Sequence, residues 1–239
     1  MSEHVKPFNT DLPKEPQIQA MFDEIAPHYD FLNRILSLCQ DVRWRRMLVQ
    51  EITSFQPVRV LDVATGTGDV ALALHKAEIP EVIGLDISTG MLEIARRRTA
   101  EGSGILRFVQ GSALHIPFDD NYFDAVSVSF GVRNFENISA GILEMYRVCR
   151  PGGRIFILEF SKPHNGFFKK IVSLYNNFIV RRTGALLSKN ARAYAYLDES
   201  VAAFPSGKVF LDLLERVGWY QSSYKALTGG VVGLYRATK

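Results

Sequence analysis

A short apolar run that ends in an acid and breaks into a glycine-rich turn constrains the fold of this chain most. The run covers residues 58–63, and the turn passes through Gly66 and Gly68 into a helical apolar pattern. The run predicts a buried parallel strand, and the glycines permit positive φ and close approach of a ligand. The helix start offers unpaired N–H groups at the positive end of its dipole. Together these features predict a nucleotide-cofactor pocket at the carboxyl edge of a sheet.

The glycine turn alone leaves the nucleotide open. Gly66, Gly68 and Ala71 fit the dinucleotide fingerprint of NAD-binding proteins. Asp86 ends a second apolar run, where an acid can accept hydrogen bonds from both ribose hydroxyls. A tight strand–helix turn that binds no ligand is the alternative interpretation.

The side chains around the turn favour S-adenosylmethionine over NAD. Asp62 stands where a carboxylate repels a pyrophosphate but accepts hydrogen bonds from an ammonium group. S-adenosylmethionine carries an ammonium and a sulfonium and no phosphate. Thr65 and Thr67 place hydroxyls in the turn, which suit a carboxylate or a water molecule better than a diphosphate. These residues predict S-adenosylmethionine as the cofactor, with an NAD(P)-dependent oxidoreductase as the alternative from another class.

Strand and helix patterns alternate along the chain, which predicts an α/β fold with a doubly wound, mostly parallel sheet. The predicted strands cover residues 58–63, 81–86, 105–110, 123–129, 153–160, 220–227 and 231–238. Helices are predicted over residues 137–149 and 208–217. Residues 151–153 predict a sharp turn into the fifth strand, and Gly229-Gly230 predicts a tight hairpin turn.

Further stretches of the chain resemble class I S-adenosylmethionine-dependent methyltransferases in the order of that family: residues 112–118, 123–130 and 147–159. The resemblance implies a Rossmann-like sheet of seven strands with an antiparallel C-terminal strand. It places Ser112 and Ala113 against adenine and Ser129 beside the cofactor, although a structural strand-end serine is the alternative for Ser129. The family usually has Asp or Asn where Ser112 stands. The predicted cofactor-binding residues are Asp62, Gly66, Thr67, Gly68, Asp86, Ser112, Ala113 and Ser129.

A narrower resemblance is to the ubiquinone/menaquinone biosynthesis C-methyltransferases, in several separate stretches: residues 22–33, 36–37, 44–45, 130–134, 147–163, 194–205 and 227–236. It implies methyl transfer to a ring carbon of a polyprenylated quinol. We favour a demethylmenaquinol, and the benzoquinol precursor of ubiquinone or another small acceptor is the alternative. A non-catalytic subunit that binds S-adenosylmethionine or lipid is a further alternative.

The same resemblance and the loop position nominate catalytic residues. Arg133 is predicted to stabilise developing phenolate charge or to hold a water that takes the proton; a surface salt bridge to Glu136 is the alternative. Asn134 can orient the same water or oxygen. Tyr29 and Asp30 can reach the quinol from a helical lid, whereas packing by Tyr29 and capping by Asp30 are the alternatives. Tyr194 and Tyr196 are predicted to line the acceptor pocket.

Length and composition fit one α/β domain over residues 1–239. We divide it into an N-terminal tail and lid (1–56), a cofactor-binding core (57–160), a substrate- or membrane-facing insertion (161–206) and a C-terminal helix and hairpin (207–239). The net charge of +3 does not suggest a nucleic-acid partner. The 2 cysteines and 5 histidines lack metal-ligand spacing, so no metal is predicted. Without an import or secretion signal, a cytoplasmic protein is expected.

The insertion carries the predicted contact with a membrane. Residues 167–182 mix apolar and aromatic side chains with Lys169, Lys170, Arg181 and Arg182. Such a stretch is typical of an amphipathic helix on anionic lipid, which would place the enzyme at the inner face of the cell membrane. A helix that faces the protein core or the second subunit of a homodimer is the alternative.

Overall fold

The computed structural model describes residues 5–8, 10–99, 104–163 and 191–239. The α-helices are α1 Lys14–Leu36, α2 Gln40–Ser54, α3 Asp69–Lys76, α4 Thr89–Arg97, α5 Ile138–Val148, α6 Ala191–Ala203 and α7 Lys208–Val217. The strands are β1 Arg59–Val63, β2 Glu81–Asp86, β3 Ile105–Gln110, β4 Phe123–Ser129, β5 Cys149–Phe160, β6 Tyr220–Leu227 and β7 Val232–Thr238. A short 3₁₀ turn, Val132–Asn134, follows β4.

The strands form a seven-stranded sheet in the order β3-β2-β1-β4-β5-β7-β6. The neighbours from β3 to β5 pair in parallel, and β7 pairs antiparallel with both β5 and β6. This confirms the predicted doubly wound sheet with an antiparallel C-terminal strand. Because β1 and β4 lie side by side while their connections run in opposite directions, a crevice opens at their carboxyl ends.

Alternating side chains of the strands build a core on each face of the sheet. Along β5, Ile155 and Ile157 enter the core with α5 and α7, whereas Phe156 and Leu158 enter the core with α2 and α3. Strands buried on both faces read as continuous apolar runs, which is why the sequence pattern located them.

The predicted turn at residues 151–153 is wrong, because β5 already begins at Cys149. The pairing of β5 with β4 shifts between Phe123–Cys149 and Ala125–Arg154, so the extra residues form an irregularity within the strand. The end of the chain fixes this segment: the Gly152 N–H donates to the Lys239 carbonyl, and the Lys239 N–H donates to the Gly153 carbonyl. The partner is 86 residues away in sequence (239 − 153) and leaves no local signal.

The connection at Gly229-Gly230 is longer than the tight hairpin turn that the sequence predicts. A 3₁₀ turn over Thr228–Gly230 joins β6 to β7, and Thr228, Gly229 and Gly230 all have positive φ. The Thr228 hydroxyl accepts a hydrogen bond from the Trp44 indole of α2 at 2.9 Å. This contact ties the hairpin to the N-terminal helices.

The helix α1 lies at the carboxyl edge of the sheet, where its Asp30 contacts Thr67, and it packs along α4. The helix α2 instead packs on one face of the sheet against β5 and α3. The α1 start is held by Glu136, whose carboxylate accepts from the Glu15 N–H at 3.1 Å. Among the described residues, no helix is long and apolar enough to cross a membrane. The predicted membrane segment, residues 167–182, lies outside the described residues.

Candidate active site

The glycine turn after β1 has the backbone that its sequence predicts. Gly66 and Gly68 have φ of 58° and 84°, and Ala64 also has a positive φ of 51°. A Cβ at Gly68 would lie 3.0 Å from the Phe108 ring, so glycine is required there for both conformation and space. The Thr65 N–H donates to the Leu85 carbonyl of β2, which fixes the turn against the neighbouring strand.

Asp62 lies beneath this turn and is buried. One of its carboxylate oxygens accepts from the Thr65 hydroxyl and the other from the Ser127 hydroxyl, both at 2.7 Å. Burial raises the pKa of Asp62 to about 6, although the two hydroxyls oppose the shift. Asp62 is not among the residues that line the cavity above it. Its observed contacts therefore hold the turn, and its contact with an ammonium group stays a prediction.

Asp86, at the end of β2, reaches the same turn from the side. Its carboxylate accepts from the Gly66 N–H at 2.8 Å and from the Ser88 N–H at 2.9 Å. Burial raises the pKa of Asp86 to about 6, and the carboxylate of Asp23 adds to that shift. Asp86 lines the cavity, and its contact with the ribose hydroxyls stays a prediction.

The glycine-loop cavity, as we name it, holds about 700 Å³ of empty space, including its opening to solvent. Three carboxylates line it, those of Glu15, Asp86 and Glu136, and no Lys, Arg or His occurs among its described lining residues. Its other lining residues are Ile18, Gln19, Phe22, Tyr29, Val63, Ala64, Gly66, Leu85, Ile87, Ser88, Met91, Gly111, Ala113, Leu114, Phe130, Gly131, Asn134 and Phe135. This charge pattern fits a cationic cofactor without phosphate and disfavours a dinucleotide.

The predicted adenine contacts are only partly at the cavity. Ala113 lines it, whereas Ser112 does not. The Ser112 hydroxyl donates to Glu15 on α1 at 2.9 Å and accepts from the Leu114 N–H at 3.0 Å. Ser129 is also outside the lining, and its buried hydroxyl has no hydrogen-bond partner among the described residues.

A second cavity, the lid cavity, holds about 510 Å³ of empty space between α1, α6 and the turn after β4. Phe22 and Asn134 line both cavities, so the two spaces meet at these side chains. The lid cavity is mostly apolar, with polar groups concentrated around the turn after β4. Its lining residues are Met21, Phe22, Ile25, Leu32, Asn33, Leu36, Arg133, Asn134, Tyr196 and Leu197.

Arg133 is buried and pairs with Glu159 of β5, so the alternative of a surface salt bridge to Glu136 is wrong. The guanidinium lies 2.7 Å from the Glu159 carboxylate and donates to the Phe130 carbonyl. It also lies over the Phe160 ring. The Arg133 Nε has no partner among the described residues. Arg133 therefore brings a fixed positive charge with a spare donor to the lid cavity.

Asn134 and Tyr196 form the other polar contact at this place. The Tyr196 hydroxyl donates to the Asn134 side-chain oxygen at 3.1 Å. Burial raises the pKa of Tyr196, so its phenol stays protonated as a donor. Tyr196 lines the lid cavity, and its place in an acceptor pocket stays a prediction. The side chain of Tyr194 lies outside the described residues.

Tyr29 and Asp30 point to different neighbours. Tyr29 lines the glycine-loop cavity and packs edge-on against Phe22. Asp30 lines neither cavity; its carboxylate accepts from the Thr67 hydroxyl at 2.7 Å and from Arg98 at 3.1 Å. Asp30 therefore clasps the lid onto the glycine turn, which favours a positioning role over its predicted catalytic one.

Sequence reasoning did not identify three residues that hold the site. Glu159 fixes Arg133, and an acid between apolar strand residues was the signal that could have revealed a buried partner. Lys14 is buried, and its ammonium donates to the carbonyls of Arg133 and Phe135 at 3.1 Å each. Glu15 connects α1 to the Ser112 loop. Lys14 and Glu15 lie about a hundred residues from these partners, so no local pattern signals them.

Solved structures share the fold at low sequence identity. A protein of Thermotoga maritima described as an S-adenosylmethionine-dependent methyltransferase matches with a TM-score of 0.60 and 19% identity, over 92% of this chain and 99% of that chain. Another described in the same terms, from Methanococcus maripaludis, matches with a TM-score of 0.55 and 21% identity, over 97% and 96%. These likenesses establish the class I methyltransferase fold.

Sequence relatives are closer. The demethylmenaquinone methyltransferase of Deinococcus radiodurans is 43% identical and that of Bacteroides fragilis 42% identical, each covering at least 98% of both chains. The ubiquinone/menaquinone biosynthesis C-methyltransferase UbiE of Geobacter sulfurreducens is 43% identical over 95% of this chain and 90% of its own. The sequence model of the ubiE/COQ5 methyltransferase family matches residues 10–239. The chain therefore belongs to the ubiE/COQ5 methyltransferase family and is an S-adenosylmethionine-dependent methyltransferase.

Proposed function

We propose that this enzyme methylates a ring carbon of demethylmenaquinol to give menaquinol. The observation that carries the proposal is the meeting of two cavities of different character at Phe22 and Asn134. The glycine-loop cavity is acidic and the lid cavity is mostly apolar. The names of the relatives from Deinococcus radiodurans and Bacteroides fragilis support the same acceptor.

The glycine-loop cavity fits S-adenosylmethionine on the chemistry of its lining. Asp86 would accept from the ribose hydroxyls, and Asp62 with the Gly66–Gly68 backbone would hold the amino-acid end. When bound, S-adenosylmethionine supplies a methyl group on an electrophilic sulfonium. The acidic lining attracts a cation.

The lid cavity suits a quinol ring with an apolar tail. Its polar residues, Arg133, Asn134, Tyr196 and Asn33, share the lining with apolar side chains of α1 and α6. Only the reduced ring is nucleophilic, because a phenolate oxygen activates the adjacent carbon, whereas a quinone is electron-poor. Holding that carbon at the junction of the cavities would contribute through proximity and orientation, an effect worth about 7–11 kcal/mol at most.

We assign to Arg133 the stabilisation of the phenolate charge that develops on the quinol oxygen. A guanidinium is a poor base, so Arg133 would act as an electrostatic group. Glu159 and the Phe130 carbonyl fix its position before the acceptor binds. Asn134 would orient the quinol oxygen or a water that takes the ring proton, and Tyr29 would form part of the wall.

The benzoquinol precursor of ubiquinone is a second acceptor to consider, because the Geobacter sulfurreducens relative is named for both quinones. Mass spectrometry of the quinones in cells that lack this protein distinguishes the acceptors. We expect demethylmenaquinone to accumulate and to disappear when the gene is restored. Accumulation of the benzoquinone precursor alone would replace the proposed acceptor, and an unchanged quinone pool would contradict the function.

A polyprenylated acceptor requires contact with a membrane surface, because its tail partitions out of water. We propose that residues 167–182 supply this contact through their lysines and arginines. Flotation with anionic liposomes tests it. Charge reversal at Lys169 and Lys170 should reduce the bound fraction, and unchanged binding would contradict the assignment. A change in oligomeric state on the same reversal would instead place the segment in a homodimer contact.

A further inference from the structure

Glu15 occupies an unusual place at the rim of the glycine-loop cavity. It belongs to the first turn of α1, far in sequence from the core of the cofactor site, yet its side chain lines the cavity. Its Oε2 accepts from the Ser112 hydroxyl at 2.9 Å. The Glu15 Oε1 has no hydrogen-bond partner among the described residues. One oxygen of Glu15 is therefore fixed by the protein, and the other is available to a ligand.

The shape of the cavity indicates which part of the cofactor meets Glu15. Asp86 marks the ribose position, and the glycine turn lies on one side of it. Beyond Asp86, the lining residues Ile87, Met91 and Leu114 are apolar and suit the faces of a flat base. Glu15 contacts the loop of Ser112 that borders this apolar slot. Its carboxylate therefore lies where the edge of the base would end.

The Ser112 side chain offers little to a base by itself. The Ser112 hydroxyl donates its proton to Glu15, and its oxygen already accepts from the Leu114 N–H at 3.0 Å. Ser112 is also absent from the cavity lining. The carboxylate acceptor for the base thus comes from Glu15 of α1, and Ser112 holds that carboxylate in position.

We propose that Glu15 is the residue that selects adenine, by accepting a hydrogen bond from its exocyclic amino group. The inference rests on the proposed cofactor and deepens it. A carboxylate accepts from an amino group but repels the carbonyl oxygen that hypoxanthine carries at the same position. Because Glu15 is on α1, the N-terminal helix would contribute directly to recognition of the base.

The test compares two ligands by calorimetry: S-adenosylhomocysteine and its deaminated analogue, S-inosylhomocysteine. The wild-type protein should prefer the adenine compound by about tenfold or more, as expected for one well-placed contact to a base edge. In Glu15→Gln the amide can donate to the carbonyl oxygen, so the preference should fall to within about threefold. The variant keeps an acceptor for Ser112, and its melting temperature checks that the fold is intact.

Glu136→Gln is the matched control, because it removes the same charge from the same cavity while its amide oxygen can still accept from the Glu15 N–H. It should keep the wild-type preference even if both affinities fall. In a Glu15→Ala background, the additional change Ser112→Asp should restore the preference, since it returns a carboxylate to the loop.

Three results would each overturn the role of Glu15: a wild-type preference in Glu15→Gln, an equal loss of preference in Glu136→Gln, or a wild-type protein without a preference. If S-adenosylhomocysteine still binds tightly in these experiments, the proposed cofactor stands. A wild type that binds neither compound would overturn the cofactor and this inference together.

Discussion

The Arg133 guanidinium lies 2.7 Å from the Glu159 carboxylate, and the two side chains are only 6% and 0% exposed. Glu159 also accepts from the backbone N–H groups of Arg133 and Phe160. The turn after β4 is therefore fixed to β5 by both charge and backbone contacts. A buried pair of this kind is costly to break at one end but tolerates loss of both charges. The contribution of Arg133 to turnover can therefore be measured separately from its contribution to stability.

Glu159→Gln alone should lower the free energy of unfolding by about 3–5 kcal/mol, because it leaves the Arg133 charge buried without its partner. The double variant Arg133→Met with Glu159→Gln should recover much of that loss. Its turnover should nevertheless stay about 100- to 1000-fold below wild type, since the group that stabilises the phenolate is gone. Urea denaturation and a methyl-transfer assay measure the two effects.

Lys208→Ala is the control for this comparison, because the pair of Lys208 with Asp212 is exposed and an exposed pair contributes only about 0–1 kcal/mol. A double variant that recovers both stability and turnover would remove Arg133 from the reaction.

Asp86→Asn should weaken binding of S-adenosylhomocysteine on the order of 10- to 100-fold, because hydrogen bonds to a charged acceptor contribute about 1.5–3 kcal/mol. The stability of the ligand-free protein at pH 7 should not fall, since burial raises the pKa of Asp86 to about 6 and so disfavours its charged form. Calorimetry and thermal melting measure the two quantities. Unchanged affinity would refute the ribose contact.

The pKa values of Asp62 and Asp86, both raised to about 6 from 3.8, predict opposite pH dependences of stability and binding. Between about pH 6 and pH 4 the folded protein holds protons that the unfolded chain releases, so these two groups make the ligand-free protein more stable as the pH falls. Cofactor affinity should fall over the same range, because the ligand's donors need ionised carboxylates. Titrations of affinity and stability from pH 8 to pH 4 test this, and an affinity that does not change with pH would contradict it.

Asp30→Ala should weaken cofactor binding about 2- to 10-fold, the size expected for the loss of one or two partly exposed hydrogen bonds. Turnover at saturating cofactor should stay within about twofold of wild type, because Asp30 lies outside both cavity linings. Thr67→Val, which removes the other half of the clasp, should reproduce the effect. A loss of turnover of about 100-fold or more in Asp30→Ala alone would indicate acid–base catalysis.

The sequence predicted those parts of the fold that depend on neighbouring residues. Apolar runs buried on both faces located the strands, and Gly66 and Gly68 located the turn because positive φ favours glycine. The segment at residues 151–153 was misjudged because proline and glycines suggest a turn, while its partner is the far end of the chain.

The sequence singled out site residues only where they lie in a motif of a known family. Asp86 and Arg133 were singled out in this way, and their roles stay predictions. The alternative for Arg133, a surface salt bridge to Glu136, was wrong because Arg133 is buried against Glu159. Glu159, Lys14 and Glu15 act across long sequence separations, and only folding brings them to their partners. Asp30 was singled out by its position in a motif, and its catalytic role stays a prediction; its contact with the Thr67 hydroxyl had no signal in the sequence.

The central claim is methyl transfer to a reduced naphthoquinone ring. The most direct measurement incubates the purified protein with trideuteromethyl-labelled S-adenosylmethionine and demethylmenaquinone in detergent micelles, either reduced with borohydride or left oxidised. Mass spectrometry should find one trideuteromethyl group on the ring carbon in the reduced sample and none in the oxidised one. An unlabelled quinone in both samples, or equal labelling of the oxidised form, would contradict the account.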